Sequence, residues 1–138
     1  MSIRGSFYSL TDDQLTALLS GSLDGDAFLG GRLQVAPAEK FSGGEAVWYE
    51  LTKLLGPEDG CGVHGTEVVP EGGAFSNEAE VRRTFTKISV LPEQELELRY
   101  AALDTDFSWE QIHEAIQGLI HFYHRTAMAG NAMLFNLR

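Results

Sequence analysis

Phe107-Ser108-Trp109-Glu110-Gln111-Ile112 opens the strongest helical pattern in the chain. Ser108 is placed to cap, Gln111 to reach back to the cap backbone and Phe107 to staple onto Ile112, three devices that together mark a helix start. The pattern runs to about Ala129 and stops at Gly130-Asn131, which gives roughly 20 residues or about 30 Å, the width of a small domain. Ile112, Ile116, Leu119, Ile120, Tyr123 and Ala127 form its expected buried stripe, with Glu110, Glu114, Gln117, His121 and Arg125 turned to water. A helix that long with one apolar side needs a core to lie on.

Outward from it, Ala132–Leu137 reads as a terminal strand, and Ile3–Tyr8 at the other end is β-compatible. The same start device recurs in Leu10-Thr11-Asp12-Asp13-Gln14-Leu15, where Thr11 caps, Gln14 boxes and Leu10 staples onto Leu15. A short helix follows on Leu15, Leu18 and Leu19 and breaks at Ser20-Gly21-Ser22. Asp24 to Gly31 reads as loop and Leu33–Ala36 as a short extended piece before Pro37. A second helix is expected from Gly43-Gly44 to about Leu55, with Val47, Trp48, Leu51, Leu54 and Leu55 on one face, Trp48 as core anchor and Gly56-Pro57 as the stop. The glycine-rich stretch from Gly56 to Gly73 reads as loop, with Val68-Val69 its strand seed. Glu78 to about Thr84 fits a helix, whereas Phe85–Val90 alternates apolar and polar residues and fits strand and helix equally. Pro92 opens a further helix carrying Leu96, Tyr100 and Leu103.

Size and composition bound the rest. At 138 residues, 43% hydrophobic and 22% charged, residues 1–138 read as a single globular domain. No apolar run is long enough to span a bilayer, and Met1-Ser2-Ile3-Arg4-Gly5 lacks the charged-then-apolar design of a signal peptide, so the expectation is a soluble, cytoplasmic protein. The lone Cys61 cannot form an internal disulfide, in keeping with a reducing compartment. Twenty acidic residues against ten basic ones leave a formal charge of −10, which works against nucleic-acid backbones and anionic membranes. The imbalance is sharpest between Pro92 and Glu114, where seven acids face only Arg99. Glu93, Glu97, Asp104, Asp106, Glu110 and Glu114 are therefore the candidate partner-binding residues, a surface toward which a basic protein is steered. A solvated face of an inert protein accounts for the same composition.

Motifs that carry chemistry are few. Cys61 and His64 share the glycine-rich loop, and a thiolate beside an imidazole is one way a cysteine nucleophile is activated; a small residue tolerated in a turn is the plainer reading. Gly60-Cys61-Gly62-Val63-His64-Gly65 matches a dinucleotide-binding string, but no strand precedes it, no helix follows it, and Glu58, Asp59 and Glu67 would repel phosphate. Among the histidines of the last helix, His113 and His124 point the same way but lie about 16 Å apart along its axis, too far to share one ion. Neither a metal nor a cofactor is expected, and no catalytic residue is assigned. Asp104 and Asp106 precede a helix N-terminus, where the helix dipole favours negative charge, which is reason enough for them without an acid–base role.

Three stretches carry a family likeness: Gly5-Ser6-Phe7-Tyr8-Ser9-Leu10-Thr11-Asp12-Asp13-Gln14-Leu15, the helix Ala46-Val47-Trp48-Tyr49-Glu50-Leu51-Thr52-Lys53-Leu54-Leu55-Gly56, and the ending from Leu119 to Leu134. In order and spacing the chain resembles the YfbM-like proteins, a bacterial family whose domain has no assigned function. The resemblance implies an α+β domain with the N- and C-terminal strands in one small sheet and the long last helix packed across it. This sequence departs from the family at Thr52, where members often carry His, and at Asp104-Thr105-Asp106-Phe107, which shortens a Tyr-Pro segment.

The functional expectation is a non-enzymatic, protein-binding domain of acidic character, such as an immunity protein that neutralises a bacterial toxin by covering its active surface. Its motive is an acidic domain with one acid-dense segment and no recognisable catalytic constellation. The alternative is a small enzyme or small-molecule-binding domain that uses the loop around Cys61 and His64, for which the discriminating feature is a deep pocket walled by that loop. Sequence does not set the oligomeric state.

Overall fold

Strands β1 (Gly5–Leu10) and β5 (Ala132–Leu137) pair antiparallel over their whole length, from Gly5 opposite Leu137 to Leu10 opposite Ala132. The computed structural model describes residues 5–24, 27–28, 38–55, 68–69 and 73–137. Within these, β2 (Glu39–Lys40), β3 (Val68–Val69) and β4 (Gly73–Ser76) complete a five-stranded sheet in the order β2-β1-β5-β4-β3, with every pairing antiparallel. The chain is a single α+β domain. The expected piece at Leu33–Ala36 lies outside the described residues, as do Cys61 and His64.

Alternation along the two central strands builds two cores. Phe7, Met133 and Phe135 project to one face and join the main cluster with Leu51, Leu54, Val81, Ile88, Ile112 and Phe122. Tyr8, Leu10 and Leu134 project to the other, where Leu15, Phe28 and Phe75 close a smaller cluster. Because side chains alternate across a pleated strand, nearly continuous burial along β1 means that both faces are covered.

Helix α1 (Asp12–Ser20) covers the smaller cluster. The Thr11 side chain accepts from the Gln14 amide and the Gln14 side chain from the Thr11 amide, so the predicted capping box is present. Part of the Asp24–Gly31 loop differs from expectation: Ala27 and Phe28 are helical, the Asp24 carboxylate accepts from the Ala27 amide, and Phe28 is buried. Asp24 acts as a local N-cap, and the apolar driving force on Phe28 supplies the reason for the turn.

The second predicted helix begins as a 3₁₀ turn over Glu45–Val47 and continues as α2 (Trp48–Leu55). Trp48 is half-buried rather than fully enclosed, packing over the main cluster and against Phe135. Residues Glu78–Ser89 form one continuous helix, α3, which answers the strand-or-helix ambiguity at Phe85–Val90. Asn77 and Glu80 close a capping box at its start, and Val81, Thr84 and Ile88 form a buried helical face. Phe85 stacks on His124 of the last helix at 5.1 Å between ring centroids. Pro92 stands as the N-cap of α4 (Glu93–Ala101), which ends short of Leu103.

The long helix α5 spans Trp109–Met128 and opens with the capping box of Ser108 and Gln111. Its buried face is wider than the expected stripe. Ala115, Phe122 and Thr126 are buried alongside Ile112, Ile116, Leu119 and Tyr123, while Ile120 and Ala127 are only partly so. Phe122 is drawn in by Phe41, whose ring lies 5.6 Å away and arrives from far earlier in the sequence. No helix among the described residues is long and apolar enough to cross a membrane.

Candidate functional site

The acid-dense segment is built by α4, the turn after it and the first half of α5. Tyr100 fixes the arrangement: its ring lies 5.4 Å from that of Trp109, and its hydroxyl donates to the Phe107 carbonyl at 2.6 Å. Glu50, buried on α2, accepts from the Thr105 hydroxyl at 3.3 Å, and Thr105 Oγ1 accepts from the Phe107 amide at 3.2 Å. Arg99 donates to the Leu54 carbonyl at 2.6 Å while holding Glu95, which ties α4 to the C-terminal end of α2. A positive charge at a helix C-terminus is favourable, and the bond also satisfies a terminal carbonyl.

On that scaffold all six candidate carboxylates, Glu93, Glu97, Asp104, Asp106, Glu110 and Glu114, are exposed. Glu93 reaches across to His113 Nε2 at 3.1 Å, joining the start of α4 to α5. At about 100° per residue, Glu110, Glu114 and Gln117 share the outer ridge of α5. His113 and Trp109 lie toward α4, and their rings are 5.2 Å apart. Among the described residues, the other five carboxylates have no cation within ion-pair distance. Glu114 borders a cavity.

That cavity is a groove of about 430 Å³ along the flank of α5. Phe41, Val47 and Ala115, all buried, form its floor with Gly118, and Ser42, Gln111 and Glu114 stand at its rim. Sequence reading misses it, since it assigns no role to Phe41-Ser42 and reads Gly43 only as part of a helix start. The one available signal was Gly118, a glycine inside a long helix, where it costs about 1 kcal/mol relative to alanine. A Cβ at that position would stand 3.1 Å from the Phe41 ring, so the glycine admits Phe41.

Elsewhere, Arg82, Arg83 and Lys87 of α3 line a shallow hollow of about 460 Å³. His121 and His124 are exposed, and among the described residues no three His, Cys, Asp or Glu side chains gather as a metal-binding set.

In fold the chain is similar to a solved structure of YfbM from Escherichia coli, a protein of unknown function, with a TM-score of 0.56. The match covers 96% of this chain and 97% of that one at 16% sequence identity. This is the YfbM-like fold. No family model matches the sequence, and no curated protein matches it. The likeness to YfbM therefore concerns the arrangement of sheet and helices and carries no chemistry. Thr52, where the YfbM-like proteins often carry His, is buried on α2 with its hydroxyl donating to the Tyr49 carbonyl at 2.8 Å.

Proposed function

We propose that the chain is a cytoplasmic member of the YfbM-like family and a non-enzymatic protein-binding domain, whose acidic face takes a basic protein partner. Its specific form is an immunity protein that neutralises a bacterial toxin by covering the toxin's active surface. The observation that supports this reading is the state of the carboxylates on α4, the following turn and α5: exposed, and five of the six without a cation partner among the described residues. An intramolecular ion pair would cancel much of the field, whereas unpaired charges on one face steer an oppositely charged protein from a distance.

Affinity capture from the native host, read beside the genes next to this one, tests the reading. A basic partner encoded nearby, whose association weakens steeply with salt, is the expected result. A chain that captures no basic protein and has no toxin gene beside it contradicts the proposal.

A further inference from the structure

We infer that the groove between Phe41–Val47 and α5 is the anchor pocket of the acidic face, with room for one arginine side chain of a basic protein partner whose guanidinium sits at Glu114. This rests on the protein-binding reading above and specifies where such a partner is held. The groove has the two properties such a side chain needs. Its floor is apolar, with the aromatic rings of Phe41 and Phe107 among its lining, and its rim carries Glu114, a carboxylate with no ion pair among the described residues. An arginine has a hydrocarbon stem that covers apolar surface and a planar, weakly hydrated cation that accepts aromatic neighbours and pairs with carboxylate. The volume of about 430 Å³ exceeds what one side chain occupies and lies in the range of sites that enclose most of a small group.

Both walls are fixed before any partner arrives. One is α5 itself. The other is anchored by the Phe41 amide, which donates to the Phe7 carbonyl at 2.9 Å, and by the Phe41 ring, which lies against Phe7 and Phe122. Within this segment Lys40 faces Glu45 at 3.7 Å. A preformed pocket spares the ordering cost of binding, which lets a single side chain act as an anchor.

Amide chemical shifts of the intact protein, followed during titration with n-butylguanidinium and separately with the uncharged n-butylurea, test the inference. Saturable shifts at Ser42, Gly43, Ala115 and Gly118, with the guanidinium bound about fivefold more tightly than the urea, are expected from one partly exposed ion pair. Glu114→Gln removes that preference. Ala46→Phe, a change at an exposed position on the groove wall, abolishes the saturable shifts while the remaining spectrum stays native. Equal binding of the two probes, or an Ala46→Phe variant that titrates like the parent, overturns the inference. An arginine-containing peptide that binds parent and Ala46→Phe equally, with an affinity that falls with salt, overturns the pocket alone and leaves the acidic-face reading standing. Groove binding of n-butylguanidinium by a chain that captures no basic protein supports the pocket and defeats the protein-binding reading.

Discussion

Trp48 lies directly over Gly5, so closely that a Cβ on residue 5 would stand 2.6 Å from the indole Cγ and 2.7 Å from the Phe135 ring. The glycine at the start of β1 is therefore a packing requirement: the indole covers the strand where a side chain would otherwise project. Gly5→Ala forces Trp48 or Phe135 off its position, and overpacking of this kind costs about 1–3 kcal/mol. Urea denaturation of the variant should show a lower midpoint with an unchanged slope; an unchanged midpoint would mean that the indole swings away freely.

Ser108 accepts from the Gln111 amide at 3.2 Å and begins the helix on which most of the main core is laid. Ser108→Ala removes a cap worth about 1 kcal/mol, and for a domain of this size the melting temperature should fall by about 3 °C. Asn77→Ala, at the start of α3, should behave alike because its box has the same geometry. A calorimetric scan that shows no change in either variant would remove capping from the account.

Phe122 is fully enclosed between Phe41 and the sheet, whereas Leu98 on α4 is 68% exposed. Phe122→Ala should cost about 3–5 kcal/mol through lost burial and the cavity left behind, while Leu98→Ala should stay within about 0.5 kcal/mol. Equal effects in chemical denaturation would contradict the placement of Phe122.

Arg99 joins α4 to α2 through the Leu54 carbonyl. Arg99→Met keeps the stem and removes the charged donor, at a cost of about 1.5 kcal/mol for a bond of this type. Hydrogen exchange should speed up at the C-terminal turn of α2 before it does elsewhere. Uniform exchange along the chain would show that the bond does not hold the two helices together.

Local devices were legible in the sequence because they act over three or four residues. The boxes at Thr11 and Ser108 form as read, and Val68-Val69 is a strand as expected. Asn77 and Glu80 make an equally local box, but the alternation in Phe85–Val90 resembles a strand face. Helix wins there because Val81, Thr84 and Ile88 also fall on one helical side that α5 can cover. What stayed hidden is non-local. Phe41 reaching Phe122, Trp48 covering Gly5 and the groove beside Glu114 each join residues far apart along the chain, and no periodicity within one segment reports them. The exposure of the acids was legible from their charge, while their spread around the start of α5 depended on Tyr100 and Glu50 holding the turn.

The most direct test is the dissociation constant between this protein and the basic partner captured from its host, measured against ionic strength for the parent and for a variant carrying Glu93→Gln, Glu97→Gln, Asp104→Asn, Asp106→Asn, Glu110→Gln and Glu114→Gln. Loss of at least about a hundredfold in affinity at low salt, with the salt dependence flattened and the melting temperature nearly preserved, is what complementary charge predicts. A folded variant that binds as tightly as the parent, with the same response to salt, would show that the acidic face is only a soluble surface.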